Sequence, residues 1–226
     1  MTADTDAERI AELEEANRRL RRLLDQRDAP GELRHRLRTT LALLRAIVHR
    51  SASTERDLPG YVAHLEDRLE AVTRAQGLAD QHGEVDLRTL LLDELFHYGA
   101  SEGERLLLSG PDMGLPPRAG QILALAIHEL AVNAVEHGTL GTNAGRIGVS
   151  WSVVGTEPDT SLLLTWTEFG SSPISEPARR GFGTEVLTRM LPYDLKAETD
   201  LVFGQNGLRC TVRFPLPGSV GRITAR

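Results

Sequence analysis

The chain has 226 residues, 40% hydrophobic and 26% charged, with a net charge of −6. These are ordinary proportions for a folded protein with a real core, and the acidic balance argues against nucleic-acid binding through phosphate contacts. No apolar run approaches the roughly 20 residues of a membrane span; the acidic N-terminus and the lone Cys210 exclude a signal peptide and an internal disulfide, which predicts a cytoplasmic protein.

Residues 6–27 read as a helix with Ile10, Leu13, Asn17, Leu20 and Leu24 in a/d spacing, a short coiled coil or an ordinary amphipathic helix. Ala29-Pro30-Gly31 interrupts it. In GELRHRLRTTLALLRAIVHRS, Leu33, Leu37, Leu41, Leu44 and Val48 recur at helical spacing and predict one buried stripe. At about 100° per residue His35 lies roughly 200° from Leu33 and Leu37, so its imidazole is expected to face solvent beside Arg38, Thr39 and Ala42. A neutral, exposed imidazole is available as a nucleophile.

A second helix carries Tyr61, Leu65, Leu69, Val72, Ala75 and Ala79, and the pair predicts an antiparallel hairpin. Each stripe is too long for one partner helix, so two hairpins are expected to pair as a four-helix homodimer.

From residue 85 the pattern changes. A helix is predicted over residues 85–98, a strand over 105–108, turn chemistry in SGPDMGLPP, and a long helix over 118–137. Alternating strands over 147–154 and 162–166 follow, then a long Gly- and Pro-containing segment over 170–183 and a helix near 184–191. A hairpin of 195–203 and 208–214 around Gly204-Gln205-Asn206-Gly207 completes the set, with Cys210 buried in a strand. The result is an α+β sandwich, a largely antiparallel mixed sheet with helices on one face. The expected domains are an N-terminal helix (1–30), the hairpin (31–82), the sandwich (83–217) and a flexible tail (218–226).

Chemistry concentrates in ILALAIHELAVNAVEHG. Glu129 and Asn133 are i, i+4 and point into one space. A carboxylate and an amide so placed suit a hard cation such as Mg²⁺ bridging to phosphates. His128-Glu129 begins an HExxH zinc pattern, but position 132 is Val132, so that reading fails. Gly181-Phe182-Gly183 follows Arg179-Arg180 and precedes a helix, where backbone amides can approach a phosphate chain. Glu168, after LLLTWT, is expected at the rim as an acceptor for an exocyclic amine.

The ordered set HRLRTTL, HELAVNAVEHG, WTE and RRGFGTEVL resembles the HWE family of sensor histidine kinases over residues 33–216. His128, Trp166 and Glu168 stand at the positions that give that family its name. The resemblance implies a dimerisation and phosphoacceptor hairpin followed by a GHKL, or Bergerat-type, ATP-binding sandwich. It implies ATP and Mg²⁺ as cofactors and a response regulator receiver domain as partner. Carried over by position, His35 matches the phosphoacceptor and Glu129 the acidic catalytic residue. Asn133 matches the Mg²⁺ ligand; Glu168 stands where related kinases have the adenine-binding aspartate, and Gly181 and Gly183 flank the triphosphate. His137, Gly170, Arg180 and Phe182 complete the expected nucleotide site.

Three departures stand out. Arg38-Thr39 replace the usual Lys-Asn, Glu136 replaces a usual lysine, and Ser171-Ser172 replace a double glycine. Arg179 or Arg180 is the candidate compensating cation. Thr39 and Glu136 favour the alternative of a phosphotransfer protein or pseudokinase that docks a regulator without using ATP. An anti-sigma-factor serine kinase shares the NAVEHG box but lacks a phosphoacceptor hairpin.

Overall fold

The structure is a computed structural model that describes residues 31, 37–51, 57–79, 83–142, 145–156, 159–170, 181–205 and 207–216. The expected N-terminal helix, His35, Arg179-Arg180, Ser171-Ser172 and the tail lie outside the described residues. The chain divides into two compact units, Met1–Val48 and His49–Arg226.

Residues 37–51 are helical (α1), but the expected stripe is not the buried one. Leu37 and Leu41 are 55% and 58% exposed and Val48 is exposed, whereas Leu43 and Ile47 are fully buried. The helix carries apolar residues on two arcs, and periodicity alone does not say which is covered. The inference that His35 faces solvent rested on the other arc and loses that support.

In the second unit, α2 (Leu58–Gly77) begins with Asp57, whose carboxylate accepts from Gly60 N at 3.2 Å, and with Pro59 in the first turn. It packs on the long helix Pro117–Glu136 and groups with the sheet, so the division at Val48/His49 does not coincide with the boundary expected after residue 82. Two arginines on α2, described below, are held by buried carboxylates.

A two-residue strand β1 (Val85–Asp86) precedes α3 (Leu87–Phe96), because Asp86 caps the helix by accepting from Thr89 N at 2.7 Å. Then come β2 (Leu106–Ser109), β3 (Gly114–Leu115), α4 (Pro117–Glu136), a 3₁₀ turn (Thr139–Gly141), β4 (Arg146–Val154) and β5 (Ser161–Phe169). The segment read as a plain turn thus contains β3, which pairs antiparallel with β1. Trp151 Nε1 donates to the Pro111 carbonyl at 2.7 Å and pins that segment. Helix α5 (Phe182–Glu185) runs through a π-helical stretch (Val186–Met190) into α6 (Leu191–Leu195). Lys196 caps it in the left-handed conformation (φ 53°), so β6 (Glu198–Gly204) starts later than expected before β7 (Gly207–Pro215).

The main sheet has the order β2-β4-β5-β7-β6; β2–β4 is parallel and every other pairing is antiparallel. One face is buried: Ile147, Val149 and Trp151, then Leu162, Leu164 and Trp166, then Cys210, Val212 and Phe214. Burial pushes the Cys210 thiol up to about 12, so it is inert at neutral pH. Helix α4 is apolar around most of its circumference and is buried from Ala119 to Ala131. Gly120 lets it approach β1, since a Cβ there would stand 3.0 Å from the Val85 side chain.

Candidate functional site

Polar side chains gather around the C-terminal half of α4. Glu129 and Arg68 of α2 are each only 6% exposed at the side chain and form a forked ion pair. Arg68 Nε donates to Glu129 Oε1 at 2.6 Å and Nη2 to Oε2 at 3.3 Å. The remaining nitrogen, Nη1, donates to Ser51 Oγ at 3.0 Å, and the guanidinium lies 3.8 Å from the centre of the Phe182 ring. Asn133 sits one turn along α4, half-buried. Gly183 packs against both: a Cβ there would stand 3.2 Å from Asn133 Nδ2 and from Glu129 Oε2. Gly181 is open, with nothing within 4 Å of the position a Cβ would take. The HELAVN and GFG segments, about 50 residues apart in sequence, therefore meet side by side.

Glu168 is not at the rim. The strand continues to Phe169, so alternation puts Glu168 in phase with Leu164 and Trp166, facing the helices and buried. Its Oε2 accepts from Thr139 N at 3.2 Å and its Oε1 lies 3.5 Å from Trp166 Nε1. Burial raises its pKa, and those two donors offset only part of the rise. Gly138 is required at the close approach, where any Cβ would overlap the Glu168 carboxylate and come within 3.0 Å of Ala134 Cα. Thr139 Oγ1 also donates to the Phe169 carbonyl. Arg105 secures the following loop, donating to the carbonyls of Leu140 (2.9 Å), Thr142 (2.7 Å) and Gly145 (3.2 Å).

The remaining expected residues are placed differently. Gly170 ends β5 with φ 81°, in the left-handed region that favours glycine. His137 caps α4 with its side chain 71% exposed, 3.6 Å from Glu136, and does not join the Glu129–Asn133–Gly183 cluster. Glu136 also lies 4.0 Å from His64. His128 points away from that cluster into a buried knot. Its Nδ1 lies 3.0 Å from Glu94 Oε1 and 2.8 Å from the Tyr98 hydroxyl, while Arg74 Nη2 donates to Glu94 Oε2 at 2.6 Å. Burial alone would raise the Glu94 pKa, but hydrogen bonds from His128 and Arg74 outweigh it and hold the carboxyl below its ordinary range.

Arg68 is the residue that sequence reading misses, although a signal for it exists. Tyr61, Leu65, Arg68, Val72 and Ala75 form a 3–4 repeat with a charge at a buried position, and a buried charge needs a partner. Glu94 carries the same signal between Leu90 and Leu95.

As a cation site the cluster fits in kind. An amide and a carboxylate one turn apart, beside a close glycine backbone, suit Mg²⁺ that keeps waters and bridges phosphates. No group of three or more His, Cys, Asp or Glu side chains placed to hold a metal occurs among the described residues. Among those residues, no helix is long and apolar enough to cross a membrane.

Residues 32–112 match the HWE histidine kinase family. The blue-light-activated histidine kinase of Rhizobium johnstonii is 31% identical over 216 residues, covering 95% of this chain and 58% of that protein. Blue-light-activated histidine kinase 1 of Erythrobacter litoralis is 33% identical over 200 residues, covering 84% of this chain and 54% of that protein. The chain thus spans little more than half the length of these relatives. In fold it is similar to the Erythrobacter litoralis EL346 blue-light activated histidine kinase, with a TM-score of 0.59 and 17% identity over 81% of this chain and 60% of that one. The histidine kinase domain of the same protein gives a TM-score of 0.50 at 17% identity, over 76% of this chain and 90% of that one. With the HELAVNAVEHG, WTE and GFG segments arranged around one helix and this likeness in sequence and fold, the chain belongs to the HWE histidine kinase family.

Proposed function

We propose that the chain is an ATP-dependent protein histidine kinase that phosphorylates itself on His35 and passes the phosphoryl group to an aspartate of a response regulator receiver domain. The observation that carries this reading is the packing of Gly183 on Glu129 and Asn133, which gathers the two nucleotide-binding segments of the family at one place.

Bound Mg²⁺·ATP supplies an electrophilic γ-phosphorus and cation screening of its oxygens. The chain's own residues do the rest. Asn133 would hold the cation. The backbone of Gly181 and Gly183 admits the phosphate chain, with Phe182 between them. Glu168 and the Gly170 turn bound the base end, where the Glu168 carboxylate accepts from an exocyclic amine. Glu129 is the acidic residue on the same face of the helix as Asn133. A His35 ring nitrogen attacks in line, forming the N–P bond as the bridging P–O bond breaks and ADP leaves.

A second copy of the chain covers the exposed Leu37, Leu41 and Val48 in a four-helix homodimer, the solution for an apolar arc that the chain itself does not bury. A cytoplasmic setting accords with the single, buried Cys210. The alternative of a regulator-docking protein that does not use ATP is less well supported, because the Glu129–Asn133–Gly183 packing has no purpose in docking. Calorimetric titration with Mg²⁺ and a non-hydrolysable ATP analogue tests the reading. The wild-type chain binds, Asn133→Ala loses at least about 100-fold in affinity, equivalent to about 2.7 kcal/mol, and equal binding by the two would refute it.

A further inference from the structure

Among the described residues two arginines reach the proposed nucleotide site from its flank, Arg50 to Glu185 at 3.3 Å and Arg68 to Glu129 at 2.6 Å, and it is Arg68 that consumes what the site needs. Both oxygens of Glu129 already accept from its fork, and its flat face covers Phe182, the residue between the two phosphate-loop glycines. Its third nitrogen holds Ser51, at the end of α1. One guanidinium therefore ties α2 and the end of α1 to the acidic residue and to the glycine turn at once. A carboxylate engaged in this way cannot serve a bound nucleotide while the fork persists.

We propose that the Arg68–Glu129 fork is a latch: α2 holds the nucleotide site in a closed, idle arrangement, and occupation of the site by a nucleoside triphosphate releases Arg68. The proposal rests on the kinase reading and adds regulation to the same site. Because coupling is reciprocal, whatever draws α2 away raises nucleotide affinity by the factor with which nucleotide loosens α2. Arg74 does not take part. Its partner Glu94 lies with His128 and Tyr98, away from Gly183, so the end of α2 around Arg74 stays fixed while the stretch through Arg68 is freed. Arg68 acts through Glu129 and Phe182 and is a positioning residue.

The test uses the full chain, with the non-hydrolysable ATP analogue and Mg²⁺ as the probe. Arg68→Lys keeps a cation beside Glu129 but cannot fork or stack, which guards against simple unfolding, and Ser51→Ala removes the third anchor; melting curves verify that both fold. Nucleotide is expected to speed amide hydrogen exchange over residues 61–69 of the wild type and to leave 72–77 unchanged. Arg68→Lys is expected to bind about tenfold more tightly than wild type, with Ser51→Ala shifted less in the same direction. Binding by Arg68→Lys alone would also uphold the latch, as a fully locked wild type. If wild type binds but exchange over 61–69 is unchanged or slower, or Arg68→Lys binds equally or more weakly, the latch is overturned and the kinase reading stands. If no variant binds, both fall.

Discussion

Six residues apart on α2, Arg68 and Arg74 each meet a buried carboxylate, yet the two pairs sit in different surroundings. Arg74, its side chain 19% exposed, joins Glu94, His128 and Tyr98, with Asp93 and Glu70 also near the guanidinium at 3.4 and 3.7 Å. Arg68 joins Glu129 beside Asn133, Gly183 and Phe182, at the edge of a glycine-bearing turn. On the latch proposal, the same chemistry fastens α2 at Arg74 and holds it releasably at Arg68. Buried ion pairs add little net stability, but losing one partner is costly, so such a pair suits either a permanent fastening or a catch.

Substitutions should separate the two ends. The largest effect is expected for Glu94→Leu, which removes the buried carboxylate shared by Arg74 and His128 and should cost about 3–5 kcal/mol in chemical denaturation. Nucleotide affinity of the folded fraction should be unchanged, and a drop in affinity without loss of stability would erase the distinction. The same pair sets an acid limit. Glu94 is held below its ordinary pKa of 4.5, so its contribution is complete above that value and is lost as pH falls through the depressed one. Glu94→Gln should remove that part of the acid transition.

Next comes Gly183→Ala, whose methyl would press on Asn133 and Glu129 at 3.2 Å. A cost of about 1–3 kcal/mol is expected from overpacking, together with weaker nucleotide binding by calorimetry. Glu168→Gln should move affinity more than stability, losing about tenfold in nucleotide binding as a charged acceptor becomes neutral. The Glu168 pKa is raised, so the native state holds its proton more tightly than the unfolded chain. Wild-type stability therefore falls as pH rises from 4.5 through the raised value, and Glu168→Gln should flatten that fall. The smallest effect on stability, within about 0.5 kcal/mol, is expected for Leu41→Asp at its exposed site. Its signature is in sedimentation, where the proposed homodimer should dissociate.

The regular elements were legible because their periods are long. Helix α4 and strands β4, β5 and β7 emerge within a few residues of their observed limits, and the i, i+4 spacing of Glu129 and Asn133 already puts both on one face. Two-residue strands such as β1 and β3 have no period to read. Glu168 was misplaced because the strand was ended at Trp166; three more residues of alternation carry the carboxylate inward. On α1 both Leu37-Leu41 and Leu43-Ile47 satisfy helical spacing, and burial, a tertiary property, chooses between them. Arg68 escaped notice because Leu69 offers an adequate stripe residue next to it, although the charge sits at the better 3–4 position.

The central claim is tested most directly by incubating the chain with γ-labelled ATP and Mg²⁺ and following the protein-bound label. The account predicts label that is acid-labile and base-stable, as a phosphoramidate is, and that disappears in His35→Ala. Label that persists in His35→Ala, or a folded wild-type chain that binds nucleotide yet takes up no label, would contradict it.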